Sequence, residues 1–440
     1  MLIFFSVTIF TGAALLFLVQ PMFARMVLPL LGGSPAVWNT AMVFYQAVLL
    51  AGYAYAHFTT RWLGVRRQAA WHLVVLLAPL LVLPIGLPHG WTPPTGTNPA
   101  WWLLAVLAVS VGLPFFVVSA SSPLLQRWFS ASGHRWAADP YFLYAASNLG
   151  SLLALVSYPV LVEPRLRLAE QNRWWAVGYA GFVVLTAMCG VWIRRVGRKG
   201  PDPEAEATRD DGVRITARRR FRWVLLAFVP CSLMLSVTTY VTSEIAPIPL
   251  LWVIPLGIYL LTFILVFARR RWVPHVWWVR GMPFAVLPLV MMLVMTLAAV
   301  SFRTLVWPII LHFAGLFVVA MFCHGELAND RPPARHLTEF YLWMSAGGVL
   351  GGMVNALLAP LVFPTVLEYP LTLLLACLLM PRRGSDSPSR RAQVLDVVLP
   401  VVLGLVTAGF ILYLLAAQLG NARLTQALIF GVPPMLCLSF

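Results

Sequence analysis

RRVGRKGPDPEAEATRDDGVRITARRRFR, residues 194–222, is the one long polar stretch in this chain, and the sequence on either side of it is apolar. Its bases are mixed with Asp202, Glu204, Glu206, Asp210 and Asp211 and interrupted by Gly and Pro, so it reads as a flexible linker. Around it, 60% of the 440 residues are hydrophobic and only 10% are charged, with a mean hydropathy of +0.83. A water-soluble domain does not carry so little charge. The composition is that of a chain whose solvent is lipid.

Crossing a hydrocarbon core of roughly 30 Å takes about 20 mostly apolar residues in a helix, because backbone groups left unpaired in lipid are too costly. By that rule the sequence predicts an all-α membrane protein of about fourteen transmembrane helices. They fall over residues 1–30, 35–57, 72–88, 101–126, 140–162, 174–193, 221–243, 248–268, 281–300, 304–325, 337–363, 366–380, 395–417 and 424–440. The first lacks a basic leading region and runs through Gln20, Pro21 and Arg25 without a small-residue cleavage site. It is therefore expected to be an uncleaved helix rather than a signal peptide.

The bases then choose an orientation. With the amino terminus inside, most of the 31 Lys and Arg residues fall in the linker or in inner loops, at Arg61, Arg66, Arg67, Arg127, Arg135, Arg269–Arg271, Arg280, Arg331, Arg335 and the Arg382–Arg391 loop. Arg25, Arg165, Arg167, Arg173, Arg303 and Arg423 remain outside. The positive-inside rule predicts both termini in the cytoplasm of a bacterial inner membrane. It also accounts for the net charge of +16, which on a soluble chain would suggest nucleic acid as a partner. Here the bases face anionic lipid, and nucleic-acid binding is rejected.

Enzymatic and cofactor readings find little support. Cys189, Cys231, Cys323, Cys377 and Cys437 are single and widely spaced, without a CxxC pair, so no metal and no disulfide framework is expected. The sequence has no HExxH, His324 and His336 are too far apart to assert shared ligation, and haem would need facing histidines for which His72 and His312 are the deep candidates. No spacing supports a catalytic triad or a carboxylate pair. The expectation is no cofactor and no catalytic residue.

The linker leaves six helices before it and about eight after, and the two parts echo each other. Pro35, Trp38 and Tyr45 recur as Pro249, Trp252 and Tyr259, each 214 positions on. A second register, of 201, relates Val117, Val118, Leu149, Gly150 and Pro159 to Val318, Val319, Leu350, Gly351 and Pro360. Six helices, a cytoplasmic linker and six more in the same orientation form the parallel-repeat plan of major facilitator transporters. The expected organisation is a six-helix bundle over 1–193, the linker, a second bundle over 223–380, a cytoplasmic loop over 381–394 and two extra helices over 395–440. Arg61–Arg67, RWLGVRR, resembles the tail of that superfamily's basic loop motif without its leading glycine and aspartate.

Longer strings carry a closer resemblance: LLGGSPAVWNTAMVFYQAVLLAGYAYAH (30–57), SNLGSLLALVSYPVLVEP (147–164), APIPLLWVIPLGIYLLTF (246–263) and CHGELANDRPPARHLTEFYLWMSAGGVLGGMVNALLAPLVFP (323–364). These resemble the membrane portion of the fused major-facilitator/spermidine-synthase-like family, whose fused members carry a cytoplasmic aminopropyltransferase-like domain. The resemblance implies a possible partner of that kind. This chain departs from the pattern, since nothing after Gln418 is long or polar enough for such a domain and no glycine-rich adenosyl-binding loop is present.

Polar groups inside lipid-embedded helices are costly and often functional, so they are the site candidates. Asn39 and Gln46 lie seven residues apart and project from one face of the second helix, where they either bond a neighbouring helix or contact a solute. Asn148 with Gly150 and Ser151, and Ser345–Gly352 with Asn355, are small-residue stretches suited to close helix approach or to bending during transport. His324, Glu326 and Glu339, with Asp330, Arg331, Arg335 and His336, form the densest ionisable group at a helix end. They fit either a proton relay or a salt-bridged cytoplasmic gate. Glu163, Glu244 and Glu368 are the outer-face acids, which would draw cations, polyamines included, if they converge on a vestibule. The reading is a transporter-like protein that moves a small solute by rocking of its halves, with a non-transporting anchor or regulator of an aminopropyltransferase-like partner as the alternative.

Overall fold

The computed structural model describes residues 1–32, 35–88, 90–94, 99–196, 215–245, 251–270, 272–297, 306–363 and 365–381, with six isolated positions from 398 to 413. Among them every regular element is helical. The helices are α1 (Leu2–Leu31), α2 (Pro35–Val75), α3 (Ala100–Ser130), α4 (Phe142–Arg165), α5 (Leu168–Val196) and α6 (Ala217–Ile245). They continue as α7 (Val253–Phe267), α8 (His275–Leu297), α9 (Trp307–Asn329), α10 (Ala334–Val362) and α11 (Glu368–Leu378). Eight of them, all but α2, α7 and α11, are long and apolar enough to cross a membrane.

These helices are apolar on nearly every side. That is the pattern of segments with lipid on one face and protein on the other, not of the half-polar helices of a soluble bundle. Trp62, Trp101 and Leu361 are 74%, 78% and 85% exposed, and such side chains on the outer surface suit hydrocarbon as solvent. The chain is a multi-pass membrane protein. In α6, 72% of the most apolar window is buried against other helices, whereas in α4, α5 and α8 the share is 33%, so α6 runs through the middle of its bundle.

Several boundaries differ from the sequence expectation for identifiable reasons. The second and third helices form one run, α2, bent only at Gly64, where φ is +67° and any side chain would be strained. The turn is so tight that the third helix starts near Val65 and gives way at Val75 to a 3₁₀ turn over Ala78–Leu81, whereas residues 72–88 were expected. Around the linker, helix continues to Val196 and resumes at Ala217, where the Thr216 side chain accepts a bond from the Arg219 amide at 3.3 Å and caps α6. Arg218–Arg222 are thus helical. The last two expected spans, 395–417 and 424–440, fall outside the described residues apart from the six isolated positions.

Packing is organised around α1 and α6. In the part before the linker, α1 packs against α3, α4 and α5, while α2 packs against α3. In the part after it, α6 packs against α9, α10 and α11, while α7 packs against α9. Between the parts, α4 meets α7 and α2 meets α10. Glycines allow the closest approaches. A Cβ on Gly150 would run into the Phe10 carbonyl of α1, and one on Gly351 would lie 2.9 Å from the Phe228 carbonyl of α6. These two glycines are the pair related by the 201-residue register.

Candidate functional site

The face of α2 that looks toward the second part of the chain carries Gln46, Tyr53 and His57 at successive depths, because steps of about seven and eleven residues return to one side of a helix, while Tyr45 turns toward Phe115 of α3. Each meets a different environment. Together they trace a line from one end of the bundle to the other.

At the end away from the linker, a pocket of about 460 Å³ opens between α1, α2, α4 and the start of α7. Gln20, Arg25, Tyr45, Tyr158, Glu163 and Trp252 are among the residues that line it. Arg25 and Glu163 stand at its mouth with a nitrogen and an oxygen 3.4 Å apart, and their side chains are 40% and 36% exposed. Tyr158 donates to Gln171 at 3.1 Å. The Tyr45 ring packs on Phe115 with centroids 4.9 Å apart, yet its hydroxyl, buried to 3%, has no hydrogen-bond partner among the described residues.

Deeper in the bundle a polar seam joins the two parts. The Gln46 amide nitrogen lies 3.8 Å from Cys231 Sγ on α6, and its side chain fills the space that a Cβ on Gly352 would need. Asn355 donates to Ser232 Oγ at 2.7 Å and to its own helix at Gly351, and Ser232 is 2.9 Å from Thr372 of α11. Gln46 Oε1 and Asn355 Oδ1 are buried acceptors with no donor among the described residues. Buried polar atoms are nearly always satisfied, so these two acceptors set the seam apart from the apolar packing around it.

Beneath the seam lies an aromatic plug. Tyr144 of α4 stacks on Tyr341 of α10 with centroids 5.0 Å apart and meets Phe263 and Phe267 of α7 edge-on at 5.2 Å each. Tyr53 of α2 and Tyr141 complete the ring around Tyr341 at 6.3 and 5.9 Å, and the Tyr341 hydroxyl donates to Gln126 of α3 at 2.7 Å. Contacts of this kind add about 0.5–1.5 kcal/mol per pair beyond burial.

At the linker end the two parts are tied by polar contacts. Arg331 pairs with Asp139 at 2.7 Å, the Tyr141 hydroxyl donates to the Pro332 carbonyl at 2.8 Å, and His57 Nδ1 lies 3.2 Å from Thr338 Oγ1. The Arg269 guanidinium sits 3.3 Å over the Trp136 ring. Within the second part, Arg219 pairs with Asp330 at 2.9 Å and Arg220 with Glu339 at 2.7 Å, while Glu339 also faces His336 at 3.4 Å. Arg222 pairs with Glu326, whose other oxygen is 2.7 Å from His275 Nε2.

The residues expected from sequence thus separate. Gln46 and Asn355 both border the seam with Ser232 and Cys231. Asn148 is buried and bonded to the Tyr144 carbonyl one turn back in α4. The Asn39 side chain falls outside the described residues. Glu326 and Glu339 sit in the ion-paired network, but His324 does not: its Nδ1 is 2.9 Å from Thr262 Oγ1 and its ring stacks on Phe263 at 3.6 Å. His324 and Glu326 thus face different helices, the first α7 and the second α6 and α8. The outer-face acids lie at the ends of three helices: Glu163 is faced by Arg25, Glu244 is exposed at the end of α6, and Glu368 is buried at the start of α11. Sequence reasoning missed Arg25 as a partner of Glu163, Tyr45 as a pocket residue, and the tyrosine plug. Among the described residues no cluster of His, Cys, Asp or Glu could hold a metal ion.

No protein-family model matches the sequence, nor does any of the curated proteins. Solved structures do match in fold. A proton:xylose symporter of the major facilitator superfamily bound to 6-bromo-6-deoxy-D-glucose aligns with a TM-score of 0.53 at 11% identity, covering 86% of this chain and 94% of that one. A peptide transporter in complex with alafosfalin aligns at 0.52 and 15%, covering 85% and 93%. A bacterial homologue of the iron transporter ferroportin aligns at 0.50 and 13%, covering 85% and 96%. At such identities the likeness speaks for the fold alone, and the fold is that of a major-facilitator-like membrane protein.

Proposed function

We propose that this protein is a secondary transporter in which two six-helix halves, 1–193 and 223–380, rock about a central site and carry a small solute across the membrane. The observation that carries this reading is the contrast between the ends: a pocket of about 460 Å³ at the end away from the linker, and a tyrosine plug with cross-half polar contacts toward the linker end. A carrier needs a site that reaches one side at a time. The repeated packing of α1 and α6, with Gly150 and Gly351 in matching places, supports the duplication. With the linker assigned to the cytoplasm by its bases, the arrangement corresponds to an outward-open state in a bacterial inner membrane.

In this reading the solute binds in the pocket and passes the seam of Gln46 and Asn355 when the halves rock, with Asn39 and Asn148 on neighbouring turns of α2 and α4. Glu326 and Glu339 hold the first turns of α6 and α10 in place at the cytoplasmic end, and His324 packs behind the plug. Neighbours that carry a sugar, peptides and iron share this fold, so the fold selects no cargo. Polyamine cargo is not favoured, because the one acid lining the pocket is faced by an arginine. Nor do the neighbours, all carriers, favour the anchor reading.

The test is accessibility. In a background whose five native cysteines are replaced, Ala24→Cys in the pocket wall and Thr338→Cys at the linker end are labelled in oriented proteoliposomes with a membrane-impermeant maleimide. Ala24→Cys should react from one side and Thr338→Cys only from the other, with their rates moving in opposite directions when a transported solute is added. Rates that stay fixed, or that rise and fall in step, would sink the transporter reading.

A further inference from the structure

We propose that the pocket takes a small zwitterion with an apolar body, of amino-acid size, its anionic group on Arg25 and its cationic group on Glu163. The inference rests on the pocket being the solute site and adds the class of solute to that reading.

The argument begins with the contrast in pairing. At the linker end Asp139 and Arg331 close to 2.7 Å, as do Arg220 and Glu339, whereas the side chains of Arg25 and Glu163, at the mouth of the pocket, come only to 3.4 Å. Such a pair in a wet mouth holds weakly. A ligand with both charges can replace the long contacts that Arg25 makes with the Glu163 carboxylate and backbone carbonyl, both 3.4 Å, by two charge-assisted hydrogen bonds, and the planar guanidinium is shaped to take a carboxylate on two nitrogens. A singly charged solute does worse, because whichever charge attracts it, the other lies beside it and repels it.

The walls set the rest of the solute. Below the charges the lining is mostly aliphatic and aromatic, with Trp252 and Tyr158 near the mouth and Tyr45 deeper, so the solute's body is apolar. The Tyr45 hydroxyl is buried without a partner, an arrangement that costs free energy until something bonds to it. It is placed to bond the solute at a second point. The volume of about 460 Å³ falls in the range of roughly 300–1,000 Å³ common for small-molecule sites and suits a molecule the size of an aromatic amino acid with water around it.

Three probes of one shape separate the possibilities: L-phenylalanine, phenethylamine and 3-phenylpropionate, titrated against purified protein in lipid nanodiscs with tryptophan fluorescence as readout. The wild type should bind phenylalanine about tenfold or more tighter than either ion. Arg25→Gln should weaken phenylalanine and turn the preference toward phenethylamine, and Glu163→Gln should turn it toward 3-phenylpropionate. Arg25→Lys keeps the charge and should keep the order of preference. Tyr45→Phe should weaken phenylalanine about fivefold without changing that order. Both charged residues are at an exposed lip, so the variants should fold, which gel filtration checks.

Equal binding of the three by the wild type, a preference for either ion, or preferences that do not turn with the two substitutions would overturn the proposal. So would no binding of any probe at about 10 mM, a concentration at which even a weak site fills. If that happens while the cysteine rates still alternate, the transporter reading stands and the zwitterion falls. If phenylalanine binds as expected but the rates do not alternate, the solute class stands and transport falls.

Discussion

At the linker end, arginines and carboxylates close to 2.7–2.9 Å over a plug of stacked tyrosines; at the other end, one arginine and one glutamate stand 3.4 Å apart over an open pocket. The two ends use the same residue types. What differs is what lies behind the pairs: at the linker end Trp223 backs Arg219 and Tyr141 backs Arg331, whereas Arg25 has the pocket beside it. Exposure alone does not separate them, since Asp139 is 57% exposed and still pairs at 2.7 Å with an arginine backed by Tyr141. If the halves rock as proposed, the closer pairing marks the linker end as the shut one.

The largest expected effect on this contrast comes from Tyr341→Ala. Removing a fully buried aromatic side chain that holds Tyr53, Tyr141 and Tyr144 together should cost about 3–5 kcal/mol. It should also let the pocket label from the linker side. Unfolding in rising SDS reads the first effect and maleimide labelling of Ala24→Cys the second; a stable protein with an intact barrier would show that the plug is not the seal.

Next is a matched pair on α10. A Cβ at Gly347 would meet the Val224 carbonyl of α6, whereas one at Gly348 meets nothing within 4 Å. Gly347→Ala should therefore destabilise by roughly 1–3 kcal/mol through overpacking, and Gly348→Ala should be neutral or slightly stabilising. Thermal unfolding of the two in one detergent checks it, and equal losses would mean that α6 and α10 are not held at this distance.

Glu326→Gln removes the charge shared by Arg222 and His275. It should cost about 1.5 kcal/mol, the value of a charge-assisted bond discounted for the exposure of Arg222. Because all three residues belong to the second half, pocket labelling should stay unchanged. Asp139→Asn is expected to do the reverse: well under 1 kcal/mol in stability, since the Asp139 side chain is 57% exposed, but a measurable rise in linker-side labelling because it joins the halves. A Glu326 variant that alters access, or an Asp139 variant that does not, would reverse the assignment of which pairs form the gate.

Much of the scaffold was legible because lipid imposes a simple rule. Runs such as Leu2–Leu31 and Trp307–Asn329 announce themselves by length and apolarity, and the basic linker separates the two parts. Gln46 could be found by its heptad spacing from Asn39, which places both on one helical face. The tyrosine plug was hidden because 13% of the chain is aromatic, and nothing local marks Tyr53, Tyr144 and Tyr341 as neighbours. Arg25 and Glu163 are 138 residues apart, a contact only tertiary structure can make. His324 and Glu326 looked like one group in sequence, yet two steps along a helix turn a side chain by about 200°, and the pair points to different helices. The short third helix was displaced because Gly64 makes a tighter turn than a loop of ordinary length would.

The start of α6 bears on how the protein could be taken apart. Thr216 caps it, and Arg219, Arg220 and Arg222 fasten it to Asp330, Glu339 and Glu326, all within the second half. These ties run from α6 itself to the end of α9 and the start of α10. Severing the gene between codons 197 and 214 and producing the two pieces together should therefore yield a working assembly, which would give experimenters a place to insert a reporter or to exchange one half for that of a homologue.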